Sequence, residues 1–206
     1  MAELAIWMLV VFGVLAVVVR VAIQVIRTGR TGLIGLRHGV GPLGWLAAVL
    51  FNGGVALGVL SVVDVQRRSL DTIDSVDVGA LHVIGIALAA AGGLTLFLAQ
   101  LGMGESWRVG VNEEERTDLV TAGWFSLVRN PIYSALILGL LGFALMVPTW
   151  LGFLAVVVTG LGLELQVRGV EEPYLQRTHG DEYRRYASRV GRFLPGVGRL
   201  RSSRPW

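Results

Sequence analysis

The stretch that decides the fold runs Leu119-Val120-Thr121-Ala122-Gly123-Trp124-Phe125-Ser126-Leu127-Val128-Arg129-Asn130-Pro131-Ile132-Tyr133. Its counterpart begins Arg168-Gly169-Val170-Glu171-Glu172-Pro173-Tyr174-Leu175 and continues through Gly180, Tyr183, Tyr186 and Arg192 to Pro195. Two apolar runs broken at Pro148-Thr149 separate these polar segments. An apolar hairpin returns the chain to the side it left, so the two polar halves are expected to meet there.

Composition sets the class. The chain is 206 residues long, 53% hydrophobic and 16% charged, with a mean hydropathy of +0.64. That is too little polar surface for a soluble domain, and the reading is an integral membrane protein. There is no cysteine, which excludes disulfides, thiolate metal sites and cysteine nucleophiles. All 18 basic side chains are arginine, so Schiff-base and Walker-type lysine chemistry is excluded as well. The arginines lie beside apolar runs, which assigns them to a membrane surface and not to nucleic acid. His38, His82 and His179 are too scattered for a metal centre, and no metal is expected.

Five spans follow, at about 4–26, 43–63, 78–101, 132–147 and 150–167, each read as a helix from its apolar length. The first is too long for a signal peptide and lacks a basic leading segment. Arg20, near one end of it, is expected to extend to the lipid headgroups. Gly54-x-x-x-Gly58 in the second span is read as a seat for a close helix neighbour, and Gly85, Ala89 and Gly93 stack at four-residue spacing in the third. His82 reads as interfacial. The fourth span reaches about 24 Å by helical rise, so it and the fifth form a tight hairpin.

Arginine placement orients the spans. Loop 27–42 carries Arg27, Arg30 and Arg37 without an acid, and the tail from 168 holds nine arginines. Loop 64–77 instead holds Asp64, Asp71, Asp74 and Asp77 against Arg67 and Arg68. Loops 27–42, 102–131 and 168–206 are therefore expected on the cytoplasmic side, with the N-terminus and the acidic loop outside. The domain division is a three-helix membrane region, 1–101, and a core, 102–206, of loop 102–131, hairpin 132–167 and tail 168–206.

Locally, Pro131 suits the first turn of a helix. Glu171-Glu172-Pro173 reads as the opening of a short tail helix with acids at its positive end. Gly180 ends that helix, and Asp181–Arg189 forms another. Tyr183, Tyr186 and Val190 share one face, with Arg184, Arg185 and Arg189 mainly elsewhere. Taken singly, Arg129 and Trp107-Arg108 read as membrane-surface anchors, and the tyrosines as interfacial aromatics.

As an ordered set these elements resemble the isoprenylcysteine carboxyl methyltransferase superfamily, whose wider relatives include phospholipid methyltransferases. They are Arg129-Asn130-Pro131-Ile132-Tyr133, Glu171-Glu172, Gly180-Asp181-Glu182-Tyr183-Arg184-Arg185-Tyr186 and Arg192-Phe193-Leu194-Pro195. Gly104-Glu105-Ser106-Trp107-Arg108-Val109-Gly110 is similar to a segment of bacterial members. The match spans roughly 100–196. Asn130 departs from the histidine of the eukaryotic enzymes and cannot carry a proton at neutral pH, so a general base is not expected there.

The resemblance implies methyl transfer from S-adenosylmethionine, bound in a cytoplasmic pocket of the last spans and tail, to a lipophilic acceptor entering from the membrane. A carboxylate is the acceptor class favoured. In-line transfer needs positioning and no covalent nucleophile. Arg129 and Glu164 are assigned to catalysis, with Arg129 clamping a carboxylate of cofactor or substrate. Asn130, Pro131, Tyr133, Glu171, Glu172, Tyr183, Tyr186 and Arg192 are assigned to cofactor binding. One of Glu171 and Glu172 would receive the cofactor's ammonium or ribose, and the tyrosines would enclose its adenine or sulfonium. Glu164 either lines the substrate path or pairs with an arginine such as Arg129. Partners are membrane lipids and a lipid-like substrate, with no nucleic acid. Arginine-rich, lysine-free composition points to a GC-rich bacterial source and an inner-membrane location, which disfavours a prenylated protein substrate. Two other classes remain open: an NADPH-dependent membrane reductase of sterol-reductase type, and a non-enzymatic scaffold.

Overall fold

The computed structural model describes residues 1–33, 41–67, 73, 78–108 and 118–200. Arg37, His38, Arg68, Asp71, Asp74, Asp77, Val109 and Gly110, all singled out above, lie outside them. Every regular element among the described residues is helical, and an isolated parallel bridge joins Val128 to Gly191. The helices are α1 (Ala2–Gly13), α2 (Arg20–Thr28), α3 (Pro42–Gln66), α4 (Val78–Gly102), α5 (Trp124–Leu127), α6 (Pro131–Met146), α7 (Trp150–Gln166) and α8 (Glu172–Arg189). A π-helical segment, Val14–Val19, fuses α1 and α2 into one apolar rod. A second, Val167–Glu171, joins α7 to α8.

Four continuous helices are long and apolar enough to cross a membrane: Ala2–Thr28, Pro42–Gln66, Gly79–Gly102 and the one starting at Trp150. Each of the five expected apolar runs coincides with a helix to within a few residues. The fourth, Pro131–Met146, has only 16 residues and is shorter than the other four. In the Trp150–Arg189 helix the apolar part ends near Gln166, where the π segment begins.

Two antiparallel pairs build the bundle: α4 with α6, and α3 with α7. Small residues set both contacts. A Cβ on Gly142 would lie 2.3 Å from the Ala89 nitrogen, and one on Gly92 would lie 2.5 Å from the Gly139 nitrogen. In the other pair, Gly54 faces Thr159 and Gly162 faces the Phe51 backbone. Gly54 thus seats a neighbour as read, and Gly85 and Ala89 of the four-residue stripe do so too. The stripe continues through Gly92, because Gly93 turns toward Phe12 of α1. The expected hairpin forms across Val147–Thr149, and the Thr149 hydroxyl caps α7 by accepting from the Gly152 nitrogen at 2.9 Å. Its two arms pack chiefly on α4 and α3, more than on each other.

The loops sort to two ends. The Ile73 nitrogen donates to the Pro148 carbonyl at 2.9 Å, placing both beside the N-terminal end of α7. At the opposite end Gly32 meets Trp107, and Gly169 meets Leu43. Residues 104–108, 118–130 and 167–200 share that second end.

Two expectations need correction. Pro173 does not open a separate helix, because the chain runs helically from Trp150 through the π segment into α8 and carries Pro173 in its first turn. The break comes where Gly180 was read as a stop: its φ of 52° and ψ of −123° kink α8, a geometry that glycine adopts without a Cβ clash. Arg20 does not extend to headgroups. It is fully buried, turned inward against Gly104 and Trp107.

Candidate functional site

The end of α5 and the segment after α8 run side by side. The Arg129 nitrogen donates to the Gly191 carbonyl at 2.8 Å and the Asn130 nitrogen to the Arg192 carbonyl at 3.1 Å. The Asn130 side-chain amide donates to that same Arg192 carbonyl, and the Ser134 hydroxyl to the Phe193 carbonyl at 2.7 Å. Gly191 is obligatory at this crossing, since a Cβ there would sit 2.0 Å from the Leu194 carbonyl oxygen. Pro131 occupies the first turn of α6, as its sequence position suggested. The two halves of the opening motif do meet.

Beneath the crossing lies a buried charge cluster. Arg192 holds Glu172 in a two-pronged grip, Nε to Oε1 and Nη2 to Oε2, both at 2.9 Å. Arg129 Nη2 donates to the same Glu172 Oε1 at 2.5 Å. The rest of the Arg129 guanidinium caps the end of α8 and the segment beyond, with Nη1 donating to the Ala187 and Val190 carbonyls and Nη2 to that of Gly198. Arg129, Glu172 and Arg192 are 6%, 5% and 8% exposed, so these bonds are made largely out of water. Burial opposes charge on Glu172, but the Arg192 and Arg129 hydrogen bonds and charges outweigh it and hold the carboxyl below its ordinary range. The Glu172 bonds likewise push the Arg192 pKa up.

Glu164, one turn into the apolar part of the helix, pairs with Arg168 and approaches Arg192 Nη1 at 3.6 Å. The arginine pairing expected for Glu164 is thus made by Arg168 and Arg192, not by Arg129. Three arginines, Arg129, Arg192 and the exposed Arg168, thus face two glutamates, Glu172 and Glu164.

Glu171 is placed quite differently from its neighbour. Successive helical residues point about 100° apart, so Glu171 turns away from both arginines. The Tyr133 hydroxyl donates to its Oε1 at 2.5 Å, and Gln166 bonds it as well. Burial raises the Glu171 pKa, the Tyr133 and Gln166 hydrogen bonds oppose that, and the charge on Glu172 raises it further. No arginine or histidine pairs with Glu171 among the described residues.

Tyr183 and Tyr186 do not line an open surface. They are 2% and 6% exposed and pack edge to face with ring centres 6.2 Å apart, backed by Leu119, Leu175, Val190 and Leu200. The Tyr186 hydroxyl donates to the Phe125 carbonyl at 2.6 Å. Burial pushes the Tyr183 phenol up to about 12, so it stays neutral. Both rings brace the cluster from behind.

The sequence reading passed over a second polar region. Arg20 Nη2 donates to the Gly104 carbonyl at 2.6 Å, and its guanidinium lies over the Trp107 ring at 4.5 Å. The Gln24 amide donates to the Glu105 carbonyl at 2.9 Å, and Gln100 donates to the Ala16 carbonyl of the first π segment at 3.1 Å. The signal was present as Arg20 and Gln24 at four-residue spacing in an apolar helix, which places both on one face. Next along the 104–108 strap, Arg108 donates to the Tyr174 hydroxyl at 2.9 Å. Trp107 and Arg108 are therefore bound into the structure from both sides, not free anchors.

A model of the phospholipid methyltransferase family matches residues 80–182, half of the 206-residue chain. The match runs from α4 through the hairpin and past Glu171-Glu172 into α8, and leaves Arg20, Tyr183, Tyr186 and Arg192 outside it. No curated protein and no solved structure matches. With its apolar helices and the meeting of its two polar segments in view, the chain belongs to the phospholipid methyltransferase family, membrane enzymes that transfer methyl groups.

Proposed function

We propose that the protein methylates a lipophilic acceptor with S-adenosylmethionine bound at the end of the bundle where the two polar segments cross. Family membership supplies the reaction class, and the observation that carries the cofactor reading is Glu171. It is a half-buried carboxylate held by a phenol and an amide, without a cationic partner among the described residues. Such a group fits a cationic ligand, and S-adenosylmethionine brings both an ammonium and a sulfonium. Bound there, the cofactor would supply an electrophilic methyl group on a sulfonium, and a neutral thioether would be its leaving group.

The chain's own residues position and exclude water. Tyr133 fixes the Glu171 carboxylate from the first turn of α6. Arg129, Glu172 and Arg192 act together as a positioning cluster that locks the tail over the mouth of the hairpin, so Arg129 holds this chain's own carboxylate and carbonyls. Asn130 sets the crossing through the Arg192 carbonyl. Glu164 orients Arg192 from the membrane side.

The acceptor is lipid-borne. The family's name favours a phospholipid headgroup, whose amine would shed a proton on methylation. The carboxylate first expected needs no proton transfer. Neither class of acceptor requires a covalent enzyme intermediate, and the buried, arginine-bound Glu172 is not available as a base. The topology that fits is five spans, with α6 as the short fourth crossing, the N-terminus outside and the crossing segments in the cytoplasm. The arginine-rich sequence of 27–42 and 168–206, against the aspartates in the sequence of 64–77, supports that orientation. A bacterial inner membrane is the corresponding location.

The test is calorimetric titration of S-adenosylmethionine into detergent-purified protein, repeated with Glu171→Gln. Micromolar binding to the parent, weakened at least about tenfold in the variant, is expected from loss of one charge contact. NADPH binding in place of S-adenosylmethionine would instead establish the reductase reading, and binding of neither would establish the scaffold.

A further inference from the structure

A fully buried guanidinium without a counter-ion is costly in any protein and more so in a membrane helix. Arg20 is in that position. It is 0% exposed, and among the described residues no carboxylate pairs with it. Its Nη2 reaches the Gly104 carbonyl, but Nε and Nη1 are buried with no hydrogen-bond partner. The surrounding acceptors are incomplete too: the side-chain oxygens of Gln24 and Gln100 are buried and unpartnered. Two free donors on a fixed positive charge call for an oxyanion, and the free acceptors of Gln24 and Gln100 call for a hydrogen carried by the same headgroup or by a water that accompanies it. Trp107, stacked on the guanidinium, and the carbonyls of Gly104 and Glu105 close the seat.

We propose that Arg20, through its free Nε and Nη1, binds the anionic headgroup of a membrane amphiphile, a phosphate or carboxylate, which enters by displacing the Trp107 ring. This rests on the reading above that the acceptor is a lipid, and makes Arg20 the residue that selects for its charge. Depth argues for a lipid-borne anion. Arg20 lies eight residues before the end of the rod, about 12 Å along its axis, so an anion carried on a chain already in the bilayer is best placed to reach it. The strap that covers the seat also ties it to the candidate cofactor site. Trp107 stacks on Arg20 while the adjacent Arg108 bonds Tyr174, two residues after Glu172. Occupancy at Arg20 therefore moves a strap anchored on α8. The guanidinium fork matches two oxyanion oxygens, which lysine cannot reproduce.

The experiment measures thermal unfolding of detergent-purified protein with dodecyl phosphate, dodecanoate, inorganic phosphate or uncharged dodecanol. Dodecyl phosphate or dodecanoate at about a hundredfold above its Kd should raise the Tm by about 5–10 °C, and Arg20→Gln should abolish the rise. Arg20→Lys should keep less than half of it. Which of the two amphiphiles acts decides between phosphate and carboxylate. An equal rise in Arg20→Gln, no rise with either amphiphile, or a full rise with inorganic phosphate alone would overturn the proposal. Should Arg20→Gln not fold, tryptophan fluorescence of the parent decides: saturating amphiphile should change it, Trp107→Phe should remove the change, and an unchanged parent spectrum overturns the idea. Neither readout uses S-adenosylmethionine or turnover, so failure of the cofactor reading, seen by titration in the same samples, is separable from failure here.

Discussion

The molecule buries arginine in two ways. At the crossing of the polar segments, Arg129 and Arg192 are matched by Glu172 and Glu164, and the remaining Arg129 hydrogen bonds go to the carbonyls of Ala187, Val190 and Gly198. On the first rod, Arg20 is buried still more completely but bonded to one carbonyl and one aromatic face. Low dielectric strengthens a charge paired to a carboxylate and penalises one left without. Arg129 leaves one guanidinium nitrogen, Nε, without a partner and is paired to Glu172, whereas Arg20 leaves two, Nε and Nη1, and pairs with no carboxylate among the described residues. Charge paired to a carboxylate marks architecture, and charge without one marks a place for something else.

The sharpest way to break this contrast is Glu172→Gln. It keeps volume but leaves Arg129 and Arg192 buried without their shared carboxylate, at a cost of about 3–5 kcal/mol. Unfolding followed in detergent should show a large loss of Tm. The pH dependence has a definite sign. The folded Glu172 pKa lies below its ordinary value, so the stabilisation is complete above that ordinary carboxylate range and is lost as pH falls through the depressed value. In Glu172→Gln that acid-side loss should disappear. A variant as stable as the parent would mean that the cluster is not structural.

Arg129→Lys comes next. Lysine keeps the charge and its attraction to Glu172, but cannot also reach three carbonyls on the segment 187–198. A loss of about 2–3 kcal/mol is expected, from charged hydrogen bonds of which some are recovered. Methyl transfer, once an acceptor is found, should fall at least about tenfold. Hydrogen exchange should show faster opening of 187–198 with α3 and α7 unaffected. Parental stability and rate together would return Arg129 to a surface anchor.

The legibility of the chain follows the same division. Apolar length gave the five helical runs within a few residues, because burial of a continuous apolar stretch overrides local detail. The small-residue stripes located their close neighbours, except that Gly92 and not Gly93 continues the α4 contact. Pattern also brought Arg129, Glu172 and Arg192 into one place. It did not reveal who bonds whom. Glu171 and Glu172 are indistinguishable as letters, and the π segment that ends on Glu171 helps set which one faces the arginines. Tyr183 and Tyr186 were correctly placed on one face, but that face turns into the tail's own core. Arg20 was misjudged because a single arginine near a helix end ordinarily extends to water, and the strap that buries it is remote in sequence.

Glu171→Gln sharpens the contrast at the scale of one residue. Next to Glu172 in sequence, it should leave stability nearly unchanged, because no buried cation loses its partner. Affinity for S-adenosylmethionine should drop at least about tenfold, equivalent to about 1.4 kcal/mol. A cationic ligand requires the ionised carboxylate, and the folded Glu171 pKa is raised, so parental affinity should weaken as pH falls through that raised value. The variant should show no such dependence. Equal affinity in both proteins would remove Glu171 from the cofactor site.

The smallest effect is expected from Gln100→Leu in the seam beside Arg20. Gln100 donates to the Ala16 carbonyl, a bond that ties α4 to the π segment of the first rod. Losing it costs about 1 kcal/mol by the usual net value of a hydrogen bond. Its other side-chain atom, Oε1, is buried without a partner, and removing that unsatisfied acceptor returns a similar amount. Leucine also has nearly the same volume and suits an apolar helix. The two contributions oppose each other, so the Tm without added amphiphile should change by no more than about 2–4 °C, set against the large loss in Glu172→Gln. Measured side by side in the same detergent, the two variants compare the regions directly. A loss from Gln100→Leu as large as that from Glu172→Gln would show that the seam is as structural as the cluster, and the distinction between them would collapse.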